Sequence, residues 1–251
     1  QARPITKLPP QPLSDVRWEP LRPDSIWMRR QVVEHMPGPL SPLFDELYLQ
    51  EGLDRGMDEM ADFIGDLCCS QVLVDNRQGG SVAGEHLLQR GHRDIGVIAG
   101  PGGLGTSARR LVGFRSALER AGVQLPDERV YVGDFRAASG RAAIEHWLAK
   151  SLLPTAVFAE NDLMAIGALS AAHSAEVDVP GRLSVVGFDG IAFGADVTPP
   201  LTTVTQSTDA VATAAIELLF ERMRVQDAAP RQVELPVALS VRGTSGPALS
   251  R

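Results

Sequence analysis

Apolar and polar positions change their rhythm near residue 70. Beyond it, short apolar runs alternate with stretches whose apolar residues recur every three to four positions. The clearest unit is PTAVFAENDLMAIGAL, residues 154–169. Residues 155–159 form a short run rich in β-formers, the pattern of a buried strand. Glu160, Asn161 and Asp162 interrupt it. Asn161 suits an N-cap, and Asp162 falls in a first turn, where the helix dipole favours negative charge. Met164, Ala165, Ala168 and Leu169 follow at helical spacing. Residues 183–188 are a second buried run, ending on Asp189. Strand, helix and strand in this order predict two parallel strands joined by a right-handed crossover. In open parallel sheets, the edge where such strands end is where ligands bind.

The same alternation extends both ways. Residues 72–74 predict a strand ending at Asp75 and Asn76, and residues 79–89 a helix with Val82, Ala83, His86 and Leu87 on one face. Ile95–Ala99 is the next buried strand. His86 and His92 read as structural, one on a helix face and one after a C-capping glycine. Residues 106–121 predict a helix carrying Arg109, Arg110, Phe114 and Leu118. Val130–Val132 predicts a strand running into Gly133, Asp134 and Phe135, and residues 139–149 a covering helix with Trp147 buried. Residues 207–224 predict a long helix with Val211, Ala214, Ile216, Leu219 and Phe220 as apolar positions. Residues 233–241 predict one last strand, which Pro236 confines to an edge.

Upstream of residue 70 the rhythm is lost. Nine prolines lie between Pro4 and Pro42, and proline fixes φ and removes a donor. This region predicts no regular sheet, only short helices near 25–33 and 43–67. The Trp27 to Phe44 stretch, WMRRQVVEHMPGPLSPLF, resembles a segment of phosphoenolpyruvate-utilising phosphotransferases, over residues about 18–60. The Thr-x-His phosphocarrier motif of that family is absent, so the resemblance implies no activity here.

Composition narrows the function. The chain has 251 residues and a net charge of −7, which argues against a nucleic-acid surface, since that needs a basic footprint. Cys68 and Cys69 are adjacent and alone, the pattern of free thiols in a reducing compartment. No apolar run reaches transmembrane length. A cytoplasmic location with no membrane partner is expected. The glycine-rich GPGGLG at 100–105 lacks the lysine and Ser/Thr of a phosphate-binding loop.

Three motifs, PTAVFAENDLMAIGAL, VPGRLSVVGFDG and TPPLTTVTQ, closely resemble the effector-binding core of the lactose-repressor family of bacterial transcription regulators. The resemblance runs from about 72 to 246. It implies an α/β, periplasmic-binding-protein-like two-lobe fold with parallel sheets. The first lobe is expected at about 71–100 and 206–228, and the second at about 101–205 and 229–245, with 100–105 as a crossover between them. The strands that should precede residue 72 are replaced by the Pro-rich, mostly helical segment 1–70, so the first lobe is expected to be truncated. Its strands at 72–74 and Ile95–Ala99 would then be left with an exposed edge. The family's helix-turn-helix is also missing, so DNA would be contacted only through a domain absent from this chain.

By the same resemblance, Arg110 enters the ligand cleft and Phe135 offers an aromatic face to a sugar. Asp189 and Asn161 bond its hydroxyls, and Thr106 and Asp75 complete the candidate site. The implied ligand is a small-molecule effector, a sugar or a nucleoside-like compound, and a homodimer is a further expected partner. No cofactor, metal or enzymatic activity is expected. Two alternatives stand beside this. One is a phosphotransferase fragment fused to a degenerate binding domain. The other is an enzyme using Glu160, Asp162 and Asp189 as metal ligands or as an acid–base pair, although helix-terminal charge compensation already accounts for Asp162.

Overall fold

Strand and helix alternate from Gln71 to Asp189, as the apolar rhythm requires. The computed structural model describes residues 70–224 and 230–249, all within the unit Arg55–Arg251. The expected helices at 25–33 and 43–67, Cys68 and Cys69, and the phosphotransferase-like segment lie outside the described residues. The elements are β1 (Gln71–Val74), α1 (Asn76–Gln89), β2 (Ile95–Ala99), α2 (Gly105–Arg120), β3 (Val130–Val132), α3 (Ala137–Ala149), β4 (Ala156–Ala159), α4 (Asp162–Ser174), β5 (Ser184–Asp189), β6 (Thr202–Thr205), α5 (Thr208–Arg224), β7 (Gln232–Leu235) and β8 (Ala238–Ser240). Among the described residues, no helix is long and apolar enough to cross a membrane.

Two sheets form. The larger runs β3-β2-β4-β5-β6-β8, and the smaller pairs β1 with β7. β4 and β5 are parallel neighbours in the register Ala156↔Ser184, Val157↔Val185 and Phe158↔Val186, as the strand–helix–strand pattern predicts. The large sheet is parallel except for β8, which lies antiparallel to β6.

Alternation along the central strands sends side chains to two cores. Val157 and Ala159 join Trp147, Met164, Leu183 and Leu201 on one side. Ala156 and Phe158 join Leu87, Phe114, Val186 and Phe188 on the other. α3 and α4 cover the first face, and α1 and α2 cover the second. All four residues of β4 are buried, which is why its sequence is continuously apolar rather than alternating. Complete burial of Phe158 alone contributes about 1.5–3 kcal/mol.

The structure departs from the sequence expectation at three points. Ile95–Ala99, expected in the first lobe, is an inner strand of the large sheet, paired with β3 and β4, and all five residues are buried. Its edges are filled, so it exposes none. The glycine-rich 100–105 therefore joins β2 to α2 within the large unit, and the chain passes between sheets elsewhere, at β1–α1, β6–α5 and β7–β8. The single strand expected at 233–241 is two strands. Pro236 breaks it, so that β7 runs parallel to β1 while β8 closes the edge of the large sheet. Which strand pairs with which depends on contacts across more than a hundred residues, and no local period records them.

His86 and His92 are structural, as expected. His92 lies 3.0 Å from the Thr155 hydroxyl and 3.1 Å from that of Ser184. His86 lies 2.8 Å from the Ser245 hydroxyl. Burial lowers the pKa of both.

Candidate functional site

The C-terminal ends of β4 and β5 and the start of α1 converge on one buried guanidinium. Arg110 lies on α2, and α2 is held against α1 by glycines. A Cβ on Gly80 would overlap the Arg110 carbonyl oxygen, and one on Gly113 would overlap the carbonyl of Arg77. This close approach brings Asn76, at the start of α1, within reach. Arg110 Nε donates to Asn76 Oδ1 at 2.8 Å. Nη1 donates to the backbone carbonyl of Glu160, and Nη2 to Asp189 Oδ1 at 3.3 Å. The guanidinium carbon stands 3.6 Å from the centroid of the Phe188 ring, a cation–π contact that desolvation strengthens. Gln206 Nε2 reaches the same Asp189 oxygen at 3.4 Å.

Asp189 ends β5 with a φ of 110°, and Gly190 follows at 73°. A non-glycine residue in this region is costly, on the order of 1–3 kcal/mol, and such strain collects at functional sites. Phe135 also has a positive φ, 63°. Asn161 Nδ2 donates to its carbonyl at 2.8 Å, while Asn161 Oδ1 accepts the Met164 N–H at 2.9 Å and caps α4. The Phe135 ring lies over Gly100, where a Cβ would overlap it.

Glu160 and Asp162 are both fully buried, with different partners. Asp162 takes the Thr203 hydroxyl on Oδ1 and the Ile191 N–H on Oδ2. Glu160 takes the Gly100 N–H at 2.7 Å and the Ser107 hydroxyl, both on Oε2. Burial pushes the Glu160 carboxyl up to about 7, against the pull of Gly100, Ser107 and Arg110. Burial likewise raises Asp189 to about 6, opposed by Arg110 and assisted by the negative charge of Asp162. Asp162 is raised by burial, although its hydrogen bonds hold it back. Desolvation lowers the Arg110 pKa, opposed first by Asp189, and a guanidinium keeps its charge through such shifts.

The structure therefore joins Arg110 to Asp189, and Asn161 to Phe135. Thr106 is exposed in the first turn of α2. Asp75 caps α1 by accepting the Gln78 N–H at 2.7 Å, and it is the neighbouring Asn76 that meets Arg110. Asn76, Ser107, Phe188 and Gln206 are absent from the candidates drawn from the sequence, and Glu160 stands there only in the enzyme alternative. Asn76 and Glu160 stand beside chosen residues, so their only signal was polarity at a strand end. Among the described residues, no group of three His, Cys, Asp or Glu is placed to hold a metal ion. Two surface hollows, of 370 Å³ beside Phe220 and 440 Å³ beside His173, share no residue with this cluster.

Comparison with known proteins gives a consistent picture. Residues 85–245 match the periplasmic binding protein-like domain. The HTH-type transcriptional repressor PurR of Escherichia fergusonii is 40% identical over 167 residues, covering 66% of this chain and 49% of that protein. The transcriptional regulator CelR in complex with cellobiose is 35% identical, with a TM-score of 0.67 over 70% of this chain and 54% of that one. The lac repressor dimer bound to operator and the anti-inducer ONPF is 30% identical, with a TM-score of 0.65 over 70% of this chain and 60% of that one. The chain spans about half the length of the curated relatives it matches. These matches lend no support to the phosphotransferase alternative.

Proposed function

Because this chain belongs to the periplasmic binding protein-like domain family, we propose that it is the effector-binding part of a transcriptional regulator of the lactose-repressor type. The effector is a small polar molecule, a sugar by first choice. The observation that carries this reading is the reach of Arg110, which ties α1, β4 and β5 together at the sheet edge. A guanidinium and a carboxylate fixed in this way present paired donors and acceptors that suit neighbouring hydroxyls. Asp189, Arg110 and Asn161 are the polar contacts, with Thr106 and Asp75 at the margin, and Phe135 is the apolar platform. Of the relatives named above, PurR and the lac repressor are repressors and CelR is a transcriptional regulator. The regulator works in the cytoplasm as a homodimer, with DNA read by a separate domain.

The test is calorimetric titration against pentoses, hexoses and nucleosides. Asp189→Ala should weaken the ligand that binds by about 1–3 kcal/mol, the scale for stranding a buried polar partner. Unchanged affinity removes Asp189 from the site.

A further inference from the structure

Glu160 is the buried acid that the sugar-binding reading leaves without a task. Its Oε2 is used twice, by the Gly100 N–H and by the Ser107 hydroxyl. These donors flank the glycine-rich loop, whose middle is open: nothing lies within 4 Å of a Cβ built on Gly102 or Gly103. Its Oε1 is buried and has no hydrogen-bond partner among the described residues. Gly100 also carries the Phe135 ring. The Glu160 carboxyl thus lies beside the aromatic platform and is joined through its own backbone carbonyl to the Arg110–Asp189 pair.

The charges balance only while Glu160 holds its proton. Asp162 has both oxygens engaged within the protein. Ionised together, Glu160 and Asp189 would set two negative charges beside one guanidinium, each of whose three nitrogens already donates within the protein. A neutral hydroxyl on Oε1 supplies a donor and no charge. An ammonium supplies both, and charge-assisted bonds are the stronger kind. A phosphate or carboxylate would bring further negative charge to a site that already holds two acids.

Resting on the sugar-binding reading above, the geometry points to Glu160 Oε1 as the recognition atom for a protonated amine on the ligand, making amino sugars the preferred class. Below about pH 7 the buried carboxyl holds a proton. The ammonium takes its place on the oxygen, the carboxyl ionises, and that proton leaves to solvent.

The experiment is calorimetry at about pH 6.5, within reach of the raised carboxyl, with D-glucosamine, D-galactosamine and D-mannosamine, each beside its parent hexose. At least one amino sugar should bind about tenfold more tightly than its parent. Its binding should release a proton, seen as a dependence of the heat on buffer ionisation enthalpy. Glu160→Gln keeps an acceptor for Gly100 and Ser107 and puts an amide N–H₂ where Oε1 stood. It should cost the amino sugar about tenfold in affinity relative to its parent hexose and abolish the proton release. If Glu160→Gln does not fold, the amine preference and proton release of the unaltered chain decide alone. A neutral sugar that binds with no amine preferred overturns this inference and leaves the sugar reading standing. If nothing in either panel binds, both fall.

Discussion

At the scale of the residue, Glu160 shows what burial does to a carboxyl whose hydrogen bonds are incomplete. Desolvation raises its pKa from 4.5 to about 7, so the folded state holds a proton that the unfolded chain releases. The stability that goes with that proton is fully present below about pH 4.5 and is lost as pH rises through about 7. The full span is at most about 3–4 kcal/mol, at 1.36 kcal/mol per pKa unit. Replacing Glu160 with glutamine removes the titration. Denaturant unfolding from pH 4.5 to 7.5 should therefore show the unaltered chain losing stability relative to Glu160→Gln as pH rises. Asp189 is raised in the same direction, but it is present in both proteins and cancels. A parallel pH dependence for the two proteins would mean that Glu160 does not titrate in this window.

At the scale of the element, the site depends on how closely two helices approach. α1 and α2 touch through Gly80 and Gly113, each against a backbone carbonyl of the other helix. A methyl group there cannot be absorbed by a rotamer change, because the obstacle is main chain. Gly80→Ala should destabilise the protein by about 1–3 kcal/mol, the range for overpacking. It should also loosen the Arg110–Asn76 bond and so weaken the ligand. Gly102→Ala is the control: its Cβ meets open space, and a surface change of this kind stays within about 0.5 kcal/mol. Equal denaturation midpoints for Gly80→Ala and the unaltered chain would mean that the helices can move apart at no cost. The Gly80 and Gly113 positions are visible in the sequence, but glycine inside a helix ordinarily signals weakness, and only the packing shows close approach.

At the scale of the whole molecule, stability is divided unevenly between two sheets. β2, β4 and β5 are covered on both faces and flanked on both sides. β1 and β7 pair only with each other among the described residues, and all of β1 is half-buried. α5 exposes Ile216, Leu219 and Phe220, each more than 50% accessible. Unpaired edges and an apolar helix face favour association with another chain. Amides of β1 and β7 should exchange fastest among the strands and those of β2, β4 and β5 slowest, read by hydrogen exchange with mass spectrometry. This moves the weak point from where the sequence put it, since Ile95–Ala99 now belongs with the protected set. Comparable protection in β1 and β4 would show that the small sheet is stabilised as fully as the large one.

The order of strands and helices was determined by the sequence alone, and so was much of the chemistry at the sheet edge. Buried runs such as 155–159 and Ile95–Ala99, the Asn161 cap, the parallel pairing of β4 and β5, and the strand-end positions of Arg110's partners Glu160 and Asp189 all follow from local period and local polarity. These are properties of neighbouring residues, and neighbours are what a sequence displays. Tertiary structure decided the rest. It divided the strands between two sheets and split 233–241 at Pro236. It gave Asn76 rather than Asp75 to Arg110, and turned Asn161 toward the Phe135 backbone. It also buried Glu160 with one oxygen unpartnered. Each of these is set by which distant segments pack together. The free energy involved lies in desolvation and hydrogen-bond completion across the whole fold, which no window of consecutive residues contains.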